Sequence, residues 1–121
     1  MTNTSEPDLP LLDPSALETL RGALGEEVVT DLVETFLSET PALVHRLTES
    51  AAVGDGEAVA ASAHSIRGSA SNFGAARLVA VAGELERAGA AGTAVEGYVE
   101  ALTRAFHDTA AALTEYAAAL R

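Results

Sequence analysis

The sequence predicts an all-α fold, namely an up-down-up-down four-helix bundle with a short additional helix at its N-terminus. Hydrophobic residues make up 48% of the chain and aromatic residues only 4%, and alanine is prominent among the hydrophobic ones. Alanine is the best helix former and a poor strand residue. Apolar residues recur at helical spacing in four long segments, and no segment shows the alternation typical of a strand. A length of 121 residues suits one domain with a proper core and is too short for two.

The N-terminal segment precedes the first helix. Residues 1–12 are polar and contain two prolines, so we expect a flexible tail before a bundle domain that spans residues 13–121. Asp13 has the character of an N-cap and is followed by a proline at the first helical position. This pair predicts a short helix that runs through about Arg21 and ends at one of the next two glycines.

The second helix is predicted to start near Glu26, where two glutamates suit the positive end of the helix dipole. Proline inside a helix removes a hydrogen bond and clashes with the preceding turn, so Pro41 predicts a kink or two abutting helices. A Gly-Asp-Gly turn follows, with Asp55 as the next N-cap. The apolar positions at helical spacing are Val29, Leu32, Phe36, Leu43 and Leu47.

The third helix is predicted from about Gly56 to Asn72, with Gly74 as a left-handed cap beyond its end. Its apolar residues alternate at spacings of four and three, which is typical of the narrow seam of a bundle helix. This seam consists of Val59, Ala63, Ile66, Ala70 and Phe73.

Two further helices complete the predicted bundle. The fourth ends in the region of Gly89 to Gly92, and the last begins at about Thr93. The inward positions of the fourth are Leu78, Ala82 and Leu85. Those of the last are Tyr98, Leu102, Ala105, Thr109, Leu113, Tyr116 and Leu120. Among the aromatic residues we expect four core anchors, at Phe36, Tyr98, Phe106 and Tyr116.

Charge and composition exclude several classes of function. The formal net charge is −11 and every basic residue is an arginine, so nucleic acid and anionic membranes should repel the chain. The chain has no cysteine, which excludes disulfides and thiolate metal sites. No signal peptide or membrane-length apolar run is evident, so a cytoplasmic protein is expected. No acidic residue occurs between Glu57 and Glu84, so we expect a surface without carboxylates there, open to a phosphate or an acidic partner.

A stripe of small and polar residues on the third helix points away from the apolar seam. Each helical residue turns by roughly 100°, which places His64, Arg67, Gly68 and Ser71 well outside the buried arc. His64 should therefore be exposed, with Arg67 one turn later and able to reach its ring. A glycine inside a helix costs about 1 kcal/mol relative to alanine, so Gly68 indicates a surface kept clear for an approaching macromolecule.

These residue types suit the transfer of a phosphoryl group. A neutral exposed imidazole is a nucleophile near neutral pH, and the guanidinium donors match phosphate oxygens. The sequence shows no metal ligands or general base beside His64, so a partner would have to bring them. The other two histidines, His45 and His107, lie in no metal-ligand pattern and are expected on helix surfaces.

The segment from His64 to Ala75, which reads HSIRGSASNFGA, closely resembles the signature of histidine-containing phosphotransfer (HPt) domains. Leu78 and Leu85-Glu86 also fall where that family has them, and the likeness extends over residues 13–121. The resemblance implies that His64 accepts a phosphoryl group from a receiver-domain aspartate and passes it to another. The family more often has lysine where Arg67 stands.

Further expectations follow from this resemblance. The partners would be receiver domains of a hybrid histidine kinase or a response regulator, and Mg²⁺ would sit on the receiver, with no cofactor on this chain. Arg67 would be the cationic neighbour and Gly68 would leave room for the receiver. Three further residues are candidate contacts to phosphate or partner: Ser69, Ser71 and Asn72.

On this interpretation the chain is a monomeric phosphocarrier rather than an enzyme. Two alternatives stay open on the sequence alone. One is the phosphorylatable domain of a chemotaxis-type histidine kinase, which receives its phosphoryl group from ATP bound to a separate catalytic domain. The other is an adaptor bundle that binds partners without chemistry.

Overall fold

The structure, a computed structural model, describes residues 9–120, and these form helices without any strand. The predicted all-α class is therefore confirmed for this part of the chain. No helix within it is long and apolar enough to cross a membrane. The helices are α1 (Pro14–Leu24), α2 (Glu26–Ala52), α3 (Gly56–Ser71), α4 (Ala76–Ala91) and α5 (Glu96–Leu120).

Each of the four long helices packs against two of the others. α3 contacts α2 and α4, while α5 contacts α4 and α2, and the short α1 lies on α2. The predicted seam of α3 is confirmed, because all five of its residues are at most 2% exposed. α3 thus faces the centre of the bundle with one side, which fixes the rotation of the helix and leaves the opposite side to solvent.

The predicted helix ends are also confirmed. The Asp13 carboxylate accepts a hydrogen bond from the backbone N–H of Ser15, and Asp55 does the same for Ala58. Each satisfies one of the free N–H groups of a helix start. Gly74, after α3, has a positive φ of 63°, a conformation that glycine adopts without a steric penalty.

Residues 9–12, which the sequence placed at the end of a flexible tail, contact α4. The Arg77 side chain donates from Nε to the Leu9 carbonyl at 2.9 Å, and its backbone N–H donates to the Pro10 carbonyl at 3.1 Å. Residues 1–8 of the expected tail lie outside the described residues. The hydrogen bonds tie this segment to the start of α4, next to the turn that follows α3.

Of the two alternatives predicted for Pro41, one is excluded, because α2 continues through the proline as one helix instead of dividing in two. Buried residues before and after the proline, Phe36 and Leu47, hold both halves of α2 against the same core. Tyr98 is not a core anchor, because it is 41% exposed while Val95 and Val99 on either side are buried. Val99 of α5 and Val95, which directly precedes the helix, face inward at this level in place of the tyrosine.

Of the other predicted aromatic anchors, Phe36 and Phe106 are buried as predicted, and Tyr116 is partly buried. The Phe36 ring packs against Phe73 and Phe106, with centroid separations of 5.4 and 6.0 Å, an arrangement that adds to simple burial. Tyr116 is half-buried against the core, and its hydroxyl has no partner within the described residues.

The backbones of α3 and α4 touch at two glycines. A Cβ atom on Gly89 would lie 2.6 Å from the Gly56 carbonyl oxygen, and a Cβ on Gly56 would lie 2.5 Å from the Gly89 carbonyl oxygen. No side chain fits at either position without separating the helices. This contact sets the short distance between α3 and α4, and therefore which side chains can meet across them.

Candidate functional site

His64 stands on the outer side of α3. Its neighbours Ala63 and Ile66 are fully buried, so the helix register turns the imidazole to solvent, where the side chain is 65% exposed. The predicted exposure is confirmed. Within residues 9–120 the ring makes its polar contacts through Nδ1, and nothing forms a hydrogen bond with Nε2.

Glu86, on α4, joins the two functional side chains of α3. Its Oε2 lies 2.9 Å from His64 Nδ1, and its Oε1 accepts a hydrogen bond from Arg67 Nε at 2.9 Å. The carboxylate is 28% exposed, which makes it the least exposed of the three side chains. One carboxylate therefore fixes both the imidazole and the guanidinium.

The contact with Glu86 favours one tautomer of His64. An ionised carboxylate only accepts hydrogen bonds, so the proton must be on Nδ1 for this contact to form. Arg67 Nη2 is also close to Nδ1, at 3.1 Å, and could donate to it only if Nδ1 carried no proton. With the proton held on Nδ1 by Glu86, the lone pair is on Nε2, which takes part in no hydrogen bond within residues 9–120.

The electrostatics of Glu86 follow from the same contacts. The hydrogen bond from Arg67 lowers the pKa of the Glu86 carboxyl, with a smaller contribution from His64, and partial burial opposes both. Because this pKa is lower in the folded protein, the interaction stabilises the fold at pH values above the ordinary carboxyl range. The stabilisation is lost as the pH falls through the lowered folded-state pKa.

The expected absence of carboxylates around His64 is wrong. The acid-free interval of the sequence ends at Glu84, and Glu86, two residues further along, lies in direct contact with the imidazole. The sequence contained one signal for this residue, namely the Leu85-Glu86 pair at its family position. No local pattern indicated that Glu86 contacts His64, because the two residues belong to different helices.

Gly68 faces open space. A Cβ built at this position meets no atom within 4 Å, so the glycine is not required by packing inside the domain. Ser71, on the same stripe, donates its hydroxyl to the Gly68 carbonyl at 2.7 Å and is thus bonded within its own helix. The surface beyond His64 along α3 is therefore low and unobstructed, as the sequence predicted.

Ser69 and Asn72 lie on a different side of α3. Both are exposed and line a small cavity of about 130 Å³ between α3 and α2, whose other walls include Phe36 and Phe73. The structure does not bring them to the imidazole. Any role of these two residues would involve the groove beside α2 and not the nitrogen atoms of His64.

The other two histidines are exposed and stand elsewhere. His45 Nε2 lies 3.3 Å from a Glu49 carboxylate oxygen on the same helix, and the His107 ring rests edge-on against Phe106. Within residues 9–120, no group of three or more His, Asp or Glu side chains is arranged to hold a metal ion. His64 is thus distinguished by its carboxylate, its neighbouring cation and its open surroundings.

Comparison with known proteins gives two matches to this arrangement. The family model described as the Hpt domain matches residues 31–121. The crystal structure of histidine-containing phosphotransfer protein B (HptB) from Pseudomonas aeruginosa superposes with a TM-score of 0.85 at 26% sequence identity. That alignment covers 93% of this chain and 98% of the other. The comparison with curated protein sequences gives no match.

Proposed function

Since the chain belongs to the Hpt domain family, whose members are phosphocarriers, we propose that His64 is the residue on which it carries a phosphoryl group. The observation that supports this most directly is the environment of the imidazole. Nδ1 faces a carboxylate, while the side chain is 65% exposed and Nε2 takes part in no hydrogen bond within the described part of the chain. The donor is an aspartyl phosphate of a receiver domain, and the acceptor is the aspartate of a second receiver.

The proposed transfer uses the Nε2 lone pair as the nucleophile. Nε2 attacks the phosphorus atom, and an N–P bond forms as the bond from phosphorus to the aspartate oxygen breaks. The aspartate leaves as a carboxylate. Positive charge builds up on the imidazole, and Glu86 stabilises it through the hydrogen bond from Nδ1–H. Delivery to the next receiver is the reverse of these steps.

Arg67 has two roles in this proposal. Its Nε donates to Glu86 and so holds the carboxylate towards His64. Its positive charge, next to the imidazole, offsets part of the negative charge that the phosphoryl group brings. The receiver supplies the aspartate and its Mg²⁺, and this chain supplies the nucleophile and its orientation.

The proposal also covers the topology of the bundle, its location in the cell, its oligomeric state and its partners. We place the long helices in an up-down-up-down bundle, because short connections at 53–55, 72–75 and 92–95 join helices that pack side by side. The domain works as a cytoplasmic monomer, and its partners are the receiver domains of a hybrid histidine kinase or a response regulator.

The experiment that tests this function is phosphotransfer from a phosphorylated receiver domain. Intact mass should show the gain of one phosphoryl group, the label should be lost in acid, and fragmentation should place it on His64. Labelling by ATP and a histidine-kinase core, but by no phosphorylated receiver, would instead support the kinase-domain alternative. Receiver binding without any phosphohistidine would support the adaptor.

Replacing Glu86 by alanine should slow phosphoryl acceptance about 10- to 100-fold, the loss expected for one hydrogen bond to a charged group. The variant removes both the acceptor for Nδ1–H and the partner of Arg67. Single-turnover transfer from a phosphorylated receiver measures the effect. Glu84→Ala is the matched control, because Glu84 is a carboxylate on the same helix without an ion pair to His64 or Arg67. Equal losses in both variants would contradict this role of Glu86.

Gly68→Gln should reduce the second-order rate constant of transfer because it fills the open surface beside His64. Glutamine is a good helix former, so the fold should be retained. Gly97→Gln on α5 is the control, since a Cβ there also meets nothing within 4 Å. Transfer at the wild-type rate in Gly68→Gln would show that this glycine does not serve partner access.

A further inference from the structure

Gly83 is a buried glycine in the middle of α4, and no backbone atom of another helix lies within 4 Å of a Cβ built there. Glycine is unfavourable in a helix interior relative to alanine. At Gly89 the backbone of α3 forbids a side chain, but at Gly83 the neighbours are of a different kind. A Cβ there would meet two side-chain atoms, Arg67 Cδ and Arg87 Nη1, each at 3.5 Å. The space above Gly83 is thus occupied by arginine side chains.

The Arg67 side chain crosses α4 at this position before it reaches its partners. Its Cδ lies over Gly83, its Nε donates to Glu86 one turn further along α4, and its Nη2 faces His64 Nδ1 at 3.1 Å. A guanidinium is planar and its donors have fixed directions, so the Nε hydrogen bond to Glu86 requires one orientation of the whole group. That orientation depends on the path of the stem that carries it.

We propose that Gly83 is a positioning residue for Arg67, because the absence of any side chain larger than a methyl group at this position leaves the path along which Arg67 reaches Glu86. This inference rests on the proposed function, and it deepens it by accounting for the arginine at position 67. A lysine ends in a single ammonium group on a flexible stem and could approach Glu86 by several routes. Arg67 needs one route, and Gly83 keeps it open.

The other charged side chains near Gly83 are not held in one orientation as Arg67 is. Arg87 is exposed and, within residues 9–120, has no carboxylate within 4.0 Å, so it can swing into solvent. Glu84 lines the shallow depression that contains Arg67 and Gly83, and it forms no ion pair within residues 9–120. A bulky side chain at position 83 would displace Arg87 at little cost. Displacing Arg67 would break its contact with Glu86.

The direct test follows the titration of the Glu86 carboxyl by ¹³C NMR in unphosphorylated protein. In Gly83→Leu the pKa of Glu86 should rise towards the ordinary carboxyl value, because the Arg67 hydrogen bond that lowers it is lost. Gly83→Ala should keep the wild-type titration, since a Cβ alone makes only van der Waals contact there. Gly97→Leu on α5 is the matched control for a leucine in a helix. A wild-type titration of Glu86 in Gly83→Leu would overturn the proposal.

A double-mutant cycle with Arg67→Lys provides a second readout. Gly83→Leu should slow transfer by at least roughly threefold when position 67 is arginine, and by much less when it is lysine. Equal losses in the two backgrounds would overturn the proposal. If Gly83→Leu destabilises the domain, a second cycle with Arg67→Ala is measured on the midpoints of urea unfolding, and Arg67→Ala should relieve most of the loss of stability. No relief would count against Gly83 as the path of Arg67.

The two proposals fail separately. The Glu86 titration needs no phosphoryl group, so it decides the role of Gly83 whatever the outcome of the transfer experiment. Wild-type protein that accepts no phosphoryl group from receivers overturns the proposed function alone.

Discussion

Replacing His64 by glutamine is expected to abolish phosphoryl acceptance completely and to leave the fold intact. The side chain is 65% exposed, so a polar helix former replaces it without creating a cavity. Glutamine has no lone pair of comparable nucleophilicity to replace Nε2. Incubation with a phosphorylated receiver, read by intact mass, should show no added phosphoryl group, while the circular dichroism spectrum stays that of the wild type.

His45→Gln and His107→Gln are the matched controls for this loss. Both histidines are exposed on helix surfaces, as His64 is, but neither stands beside both a glutamate from another helix and an arginine. Both variants should therefore be labelled like the wild type. Labelling of His64→Gln to the wild-type level would remove His64 from the role, and loss of labelling in a control would identify a different acceptor.

Gly89→Ala should destabilise the domain by about 1–3 kcal/mol, the usual cost of forcing extra volume into a packed interior. The new methyl group would lie 2.6 Å from the Gly56 carbonyl oxygen and 3.1 Å from the Ala60 nitrogen. Both are backbone atoms of α3, so relief requires the two helices to separate. The measurement is the free energy of unfolding from urea titration of the variant and the wild type.

Gly97→Ala provides the control of opposite sign. Position 97 lies in α5 with open space around a Cβ, so the better helix propensity of alanine should stabilise that variant by up to about 1 kcal/mol. A stabilised Gly89→Ala would show that α3 and α4 are not held at backbone contact. Glu86 lies one turn before Gly89, so separating the helices should also draw its carboxylate away from His64 and slow transfer.

Much of the fold follows from local chemistry that can be read along the chain. The spacing of the apolar residues in α3 predicted that they are buried, because residues three and four apart share one side of a helix. Asp13 and Asp55 predicted helix starts, since short polar side chains bond to free N–H groups there. The same periodicity put His64 and Arg67 outside, and their spacing of three residues brought the two side chains within reach of each other.

The predictions that were wrong depended on contacts between elements. At Pro41 the local rule allowed a kink or a division into two helices, and the packing of α2 on both sides of the proline excludes the division. At Tyr98 the spacing allowed more than one rotation of α5, and the burial of Val95 and Val99 selected another. The expectation of a surface without carboxylates around His64 considered only residues near it along the chain. His64 meets a carboxylate from another helix, across the α3–α4 interface.

By itself, the sequence determined that this protein is helical, where most of its helices begin and end, and which histidine stands exposed beside a cation. These properties depend on residues within one or two turns of each other. Only the tertiary structure decided that Glu86 holds Nδ1 and leaves Nε2 free, and that Gly83 lies beneath Arg67. Those contacts depend on the distance between α3 and α4, which the backbone contact of Gly56 and Gly89 sets. Interhelical distance arises from packing across the whole bundle, and no short stretch of sequence encodes it.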